Sequence, residues 1–309
     1  MYAENLGMRI FVTGGTGLIG RRLVPRLTDR GDQAVVLSRS SVGGRFDDAG
    51  VVAVQGDPTQ PGEWQASLAE CDAAVNLAGE NIMARRWNAE HKRRIRDSRI
   101  QATRRVVEAI GQSGGRCKTL VNGSAIGYYG SRGDERLEES AGPGRDFLAD
   151  VCTAWEAEAE PATQHGARVV CVRTGAVLDP AGGALAQMLP MFRRFLGGPV
   201  GSGRQWFSWI HYADLVGLFC LALDDQEVSG PINGTSPNPV TNRQFARALG
   251  RALRRPSLCR APTRVLRLAL GEAADVVLAS QRVVPQVALN RGYPFQFGQL
   301  DAALADLIA

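Results

Sequence analysis

Gly14, Gly17 and Gly20 stand three residues apart in the stretch MRIFVTGGTGLIG, residues 8–20. That spacing suits main-chain amides closing around a diphosphate. Gly14 lets the chain turn off a strand without a Cβ clash, Gly17 lets N–H groups come close to a pyrophosphate, and Gly20 lets the next helix pack tightly. The loop Gly14, Gly15, Thr16, Gly17, Leu18, Ile19 and Gly20 thus leads into a helix whose free donors and positive dipole end favour phosphate. The spacing is G-x-x-G-x-x-G rather than G-x-G-x-x-G, and glycine-rich turns also serve as plain connections. The β-branched and aromatic run Ile10-Phe11-Val12 before it and the apolar period Leu18, Ile19, Leu23, Val24, Leu27 after it supply the context that points to a nucleotide.

A second chemical choice lies at the end of the next strand. A carboxylate there accepts from the ribose 2′-hydroxyl of NAD, whereas arginine pairs with the 2′-phosphate of NADP. The chain reads Leu37-Ser38-Arg39-Ser40, with no acidic residue until Asp47, so Ser38 and Arg39 favour NADP(H) over NAD(H). The other reading makes Arg39 an ordinary surface arginine. Asp57, in Gly56-Asp57-Pro58, is placed either to accept from the adenine amino group or to start a turn. Leu77, Ala78 and Gly79 close the following strand with residues small enough for close backbone approach.

Groups able to move protons are sparse. Tyr128 and Tyr129 lie beyond the fifth strand, and Arg132 follows Tyr128 by four, a cation that stabilises a phenolate without shuttling protons. His211 titrates in a useful range, although a lone histidine among aromatic residues is more often hydrogen-bonded and structural. Trp206, Phe207 and Trp209 either wall a pocket or pack a core.

The elements that must carry these residues alternate. Strands are expected at 34–37, 51–54, 72–77, 120–121 and 168–173, with helices at about 88–110 and 147–160. That alternation implies an α/β fold with a doubly wound parallel sheet of Rossmann type. From Asp179 the texture changes to glycine-rich loops around one amphipathic helix, 184–196, then a helix at 211–223 and a short strand at 231–233. Residues 241–309 carry helical patterns broken at Pro256, Pro262 and Pro285. The expected division is a dinucleotide-binding domain, 1–178 with 209–234 returning to it, and a smaller, loop-rich and helical C-terminal lobe, 179–309.

Composition fits a globular protein with 44% apolar and 22% charged residues and a net charge of +5. The charge rests on arginine, Lys92 and Lys118 being the only lysines. No aromatic-interleaved basic stripe supports nucleic-acid binding, and no apolar run reaches the length of a membrane span, so neither nucleic acid nor membrane is expected as a partner. Six scattered cysteines without a C-x-x-C pair suit a reducing compartment, and a cytoplasmic monomer or homodimer is expected. Residues 1–7 are too short and polar for a signal peptide, and Met8 is an alternative start. No metal site is expected.

Together these pieces resemble the short-chain dehydrogenase/reductase superfamily in its extended form. The whole chain looks like the atypical branch called the NAD(P)-dependent epimerase family, which carries a C-terminal domain of unknown function, here at about 255–303. The matching stretches are 14–20, NLAGEN (76–81), Arg86-Trp87, Ser98-Arg99, GSAIGYYG (123–130), RTGAVL (173–178), SWIH (208–211) and SQRVVP (280–285). The resemblance implies NADP(H) binding through Ser38, Arg39, Leu77, Ala78, Arg99 and Val177. Arg99 sits in the long helix, where a guanidinium can reach phosphate oxygens bidentately, but Arg93, Arg94, Arg96, Arg104 and Arg105 are neighbours on what is otherwise a solvated face.

The superfamily moves hydride with a Tyr-x-x-x-Lys pair after strand five, aided by a serine at that strand's end. Ser124 matches the serine. The pair falls near Leu148 and Cys152 and is absent, so Ser124, Tyr128 and Tyr129 are the catalytic candidates. Glu80, Asn81, Trp209 and His211 are those for contact with a small polar or sugar-like substrate. The expected activity is that of an oxidoreductase or epimerase-like enzyme. The alternative is a non-catalytic NADP(H)-binding sensor or assembly factor.

Overall fold

The structure is a computed structural model that describes residues 7–40 and 50–308. Asp47 and residues 1–6 lie outside the described residues. Five strands come first: β1 (Arg9–Thr13), β2 (Gln33–Ser38), β3 (Val51–Gln55), β4 (Ala73–Asn76) and β5 (Thr119–Ala125). They are followed by β6 (Arg136–Leu137), β7 (Arg168–Thr174), β8 (Ala176–Asp179) and β9 (Trp206–Phe207). Last come β10 (Trp209–His211), β11 (Gly230–Gly234), β12 (Val240–Thr241) and β13 (Arg282–Val283). The helices between them are α1 (Gly20–Asp29), α2 (Trp64–Ala69), α3 (Ala89–Gln112), α4 (Phe147–Ala159), α5 (Gly183–Arg193) and α6 (Tyr212–Asp224). The C-terminal region holds α7 (Asn242–Leu253), α8 (Thr263–Leu270), α9 (Ala274–Leu278), α10 (Gln286–Asn290) and α11 (Leu300–Ile308).

Seven strands form one sheet in the order β11-β7-β5-β4-β1-β2-β3, every pairing parallel. Strand order reverses between β1 and β4, and a crevice opens outside the carboxyl ends at such a reversal. The inner strands β1, β2, β4, β5 and β7 are buried on both faces because both are covered. Ile10 and Val12 point into a core with Leu23, Val24 and Leu27 of α1 and Leu215 and Phe219 of α6. Phe11 points the other way, onto Trp64 and Leu68 of α2 and Val106 and Ile110 of α3. Side chains alternate with a period of two, so a one-residue slip of β1 would exchange the two cores.

A third core joins Leu185, Leu189 and Phe192 of α5 to Phe245 and Leu249 of α7 and Leu304 of α11. This second lobe is tied back to the sheet domain by β13, which runs parallel to β6 with Val283 opposite Leu137. Expected and observed elements differ in three places. Leu18 and Ile19 precede α1 rather than belonging to it, and Leu18 lies under Gly182, whose added Cβ would come within 2.6 Å of Leu18 Cδ1. Helix α5 stops at Arg193 because Phe195 turns to φ +63. The pairs β6–β13, β8–β10 and β9–β12 are strands of two to four residues, too short to show a period in sequence.

Candidate cofactor and active site

The glycine turn is built to leave no room for side chains. Gly14 takes φ +66, and a Cβ there would lie 2.7 Å from the carbonyl carbon and oxygen of Leu77. A Cβ on Gly20 would meet the Gly14 oxygen at 2.4 Å, whereas one on Gly17 would meet only that oxygen, at 3.1 Å. The turn closes through Gly17 N–H donating to Gly14 O over 2.9 Å. Among the described residues, the amides of Gly15, Thr16, Leu18 and Ile19 find no acceptor. Helix α1 has no side-chain cap and no acidic residue in its first turn. Orphan donors beside a positive dipole end are what an anion requires.

Buried polar side chains fix the strand ends around this turn. Thr13 Oγ1 donates to Asn76 Oδ1 over 2.6 Å and accepts from the amides of Leu77 and Ala78. Asn76 Nδ2 in turn donates to Thr103 Oγ1 and Asn122 Oδ1, so β1, β4, β5 and α3 share one network. It holds the Leu77–Gly79 backbone against the glycine turn.

Arg39 is exposed at the exit of β2 and lines a cleft of about 570 Å³ with Thr59, Glu80, Arg93 and Ser98. Ser38 Oγ accepts from the Ser40 amide. The Asp57 carboxylate accepts from Thr59 N (2.9 Å) and Oγ1 (2.7 Å), which is the turn-starting arrangement. Arg99 is held by the carbonyls of Glu80 (3.0 Å) and Ile95 (2.9 Å) and lies 5.0 Å from the Trp155 ring centre. Gly79 leaves it room: a Cβ there would come 3.1 Å from Arg99 Cζ and crowd the guanidinium. Burial lowers the guanidinium pKa, and among the described residues no carboxylate pairs with it. It is a desolvated cation suited to an incoming anion.

Ser124, at the carboxyl end of β5, donates to Glu156 Oε1 over 2.6 Å. Arg173 grips Glu156 bidentately, both distances 2.8 Å. The same guanidinium donates to Tyr129 Oη over 3.0 Å and lies 3.4 Å from the Tyr128 ring centre. Tyr129 is fully buried and donates to Asn233 Oδ1 over 2.7 Å; burial pushes its hydroxyl up to about 12. That phenol is a strut in a network, not a base near neutral pH. Tyr128 is half-buried and faces the cation of Arg173, while Arg132, the partner expected from sequence, pairs instead with Glu135. Leu148 and Cys152 both pack under Gly127, and burial pushes the Cys152 thiol up to about 12. The usual pair's positions are therefore apolar and inert.

The remaining candidates fall elsewhere. Trp209 is fully buried and donates to Asn238 O. His211 is 1% exposed; its Nδ1 accepts from Ala213 N as the cap of α6, and its ring stacks on Phe297 at 3.9 Å. Both side chains pack the lobe instead of meeting a cleft, because an N-cap acceptor and a core indole satisfy them internally. Val177 is nearly buried in β8, opposite Ile210. Glu80 and Asn81 lie on the loop over α3, with Glu80 N–H donating to Ser98 Oγ and Asn81 Oδ1 accepting from Met83 N.

The sequence profile described as the NAD dependent epimerase/dehydratase family matches residues 10–233. The chain belongs to that family. A second profile, the domain of unknown function DUF1731, matches residues 261–307, close to the region expected at 255–303. Among epimerase-family relatives, the SDR39U1 homolog of Arabidopsis thaliana, named chloroplastic, is 42% identical over 304 residues, covering 96% of this chain and 86% of its own. Human SDR39U1 is 39% identical over 306 residues, covering 98% and 100%. A crystal structure of human SDR39U1 with NADPH superposes with TM-score 0.85 at 35% identity, over 97% of this chain and 99% of that one. The structure of a nucleoside-diphosphate sugar epimerase from Corynebacterium glutamicum gives 0.78 at 34% identity, over 97% and 58%. Among the described residues no helix is long and apolar enough to cross a membrane.

For a member of the epimerase/dehydratase family, the residues missed in sequence are the informative ones. Glu156 lies on the stripe Ala149, Cys152, Glu156, Ala159 of α4, whose other members are buried. A lone carboxylate on an apolar stripe is a readable signal that something opposite must satisfy it. Its partner Arg173, on the neighbouring strand β7, sits directly across from Ser124.

Proposed function

We propose that this chain binds NADP(H) and acts as an oxidoreductase or epimerase-like enzyme on a small polar, sugar-like substrate. The glycine turn carries the reading: its unsatisfied amides and uncapped helix fit a diphosphate, and a Cβ at Gly14 or Gly20 would collide with the backbone that shapes the turn. Arg39 and Arg99 supply cations toward the 2′-phosphate and the diphosphate, with Ser38, Leu77, Ala78 and Val177 along the same groove. The human relative crystallised with NADPH supports the choice of the phosphorylated dinucleotide. The relative named as a nucleoside-diphosphate sugar epimerase supports the substrate class. Free thiols at all six cysteines suit a reducing compartment such as the cytoplasm.

A bound nicotinamide supplies or accepts hydride at its C4. The chain's own part is to orient the reacting oxygen and handle its proton. The Ser124 proton is engaged with Glu156, so Ser124 Oγ offers lone pairs and accepts from a substrate hydroxyl. Calorimetry with NADPH and NADH tests the cofactor: Arg39→Ala weakens NADPH by roughly tenfold or more, the scale of one lost charge-assisted pair, and leaves NADH nearly unchanged. Equal losses for both would sink the assignment. Incubation with NADPH and a panel of carbonyl compounds tests turnover, and tight binding without turnover would instead favour a sensor.

A further inference from the structure

Residues 242–271 contain eight arginines and no aspartate or glutamate. The whole chain carries only +5, so outside this stretch it is net negative. All eight, Arg243, Arg247, Arg251, Arg254, Arg255, Arg260, Arg264 and Arg267, are exposed. Four of them, Arg247, Arg251, Arg254 and Arg255, line a concavity of about 380 Å³ at the end of α7. Of these only Arg251 has an ion-pair partner among the described residues, Asp301.

Large apolar side chains are exposed beside these arginines and on α8, which follows them in the chain. Leu258 is 84% exposed, Leu268 78%, Val265 57% and Phe195 55%. Segments 195–201 and 258–261 run side by side, joined by Cys259 N–H to Gly197 O and Ala261 N–H to Pro199 O, which brings Leu258 beside Phe195 and Leu196. Arg255 lies 4.6 Å over the Phe195 ring. Helix α8 buries none of its residues. Its Val265 and Leu268 share a face three residues apart, as do Arg264 and Arg267 beside them. The structure thus holds an eight-residue helix with no fully buried residue, only Thr263, Leu266 and Leu270 being partly covered.

We propose that this arginine-flanked apolar face docks on an anionic phospholipid surface. Charge complementarity selects the occupant. Arginines draw the protein to acidic headgroups, and protruding leucine and phenylalanine side chains enter the headgroup boundary, where water is already displaced. An acidic protein surface satisfies the arginines but gives Leu258 and Leu268 no apolar layer to enter. Docking here is peripheral and needs no spanning helix; it runs against the expectation from sequence that no membrane is a partner.

Sedimentation of the full chain with vesicles of phosphatidylcholine alone, or with phosphatidylglycerol added, decides the matter. The protein sediments with the anionic vesicles only, and less so as salt rises. Reversing Arg254 and Arg255 to glutamate weakens that partition by roughly tenfold or more, as expected at about 1 kcal/mol per basic residue near a charged surface. Leu258→Ser with Leu268→Ser weakens it at low salt too. An unchanged circular dichroism spectrum and melting temperature show that the variants are folded. No binding to anionic vesicles, equal binding to neutral ones, or indifference to the arginine reversal overturns the proposal. Capture by polyglutamate or duplex DNA without vesicle binding overturns it in favour of an acidic macromolecule. None of these outcomes depends on the cofactor assignment.

Discussion

Glu156 serves two partners, the Ser124 hydroxyl and the Arg173 guanidinium, and the two losses are unequal. The Arg173 side chain is 4% exposed and that of Glu156 15%. Glu156→Gln leaves a buried cation without its counter-ion, a change that costs about 3–5 kcal/mol in comparable sites. Ser124→Ala leaves the ion pair whole and removes one hydrogen bond, about 1 kcal/mol. Urea unfolding of both variants should show that order, and comparable losses would mean the hydroxyl is as structural as the carboxylate. Ser124 was legible from its place at the end of β5. Glu156 and Arg173 were not, because their partnership joins residues 17 apart on a helix and a strand. The tyrosines were legible as a pair but not by role, since burial separates Tyr129 from Tyr128 and sequence does not show which is enclosed.

Among the elements, the turn between β1 and α1 separates folding from binding. Gly20→Ala drives a Cβ into the Gly14 carbonyl oxygen at 2.4 Å, backbone that cannot step aside, whereas Gly17→Ala meets that oxygen at 3.1 Å and little else. Gly20→Ala should lower the melting temperature and abolish NADPH binding together. Gly17→Ala should leave melting within a few degrees while weakening NADPH by roughly tenfold or more, since its Cβ stands where a diphosphate would pass. A Gly17→Ala protein that binds normally would show that phosphate does not cross that face. This turn and the main strands were readable because buried parallel strands and a glycine triplet leave strong local signals. The two-residue pairings β6–β13 and β9–β12 were not, because contact between distant segments alone creates them.

For the molecule as a whole, one source of acid sensitivity is His211, which caps α6 and meets Asp306 of α11. Burial lowers the His211 pKa, although Asp306, Asp214 and Asp179 oppose it. Its folded value lies below the unfolded one, about 6.5. The unfolded chain then binds more protons, so stability is lost as pH falls through about 6.5 toward the folded value. Protonation would also remove the Nδ1 acceptor that caps α6. His211→Asn keeps a capping acceptor and should flatten that part of the stability–pH curve; equal slopes in both proteins would exclude this histidine as the cause. The change of texture near residue 179 is visible in sequence, but not how the later elements join the sheet. Glu139, from the loop after β6, accepts amides from Asn233, Gln286 and Val287 at 3.0, 3.1 and 3.2 Å.

That carboxylate has a bearing on vectorial synthesis. The strand β11 and the 286–287 amides leave the ribosome long after Glu139 does, so a nascent chain halted before residue 230 holds the glycine turn on a sheet with one border missing and Glu139 without its native donors. Maturation thereby waits for these later segments, and a chain truncated before residue 230 should be cleared by proteases rather than persist as a working half.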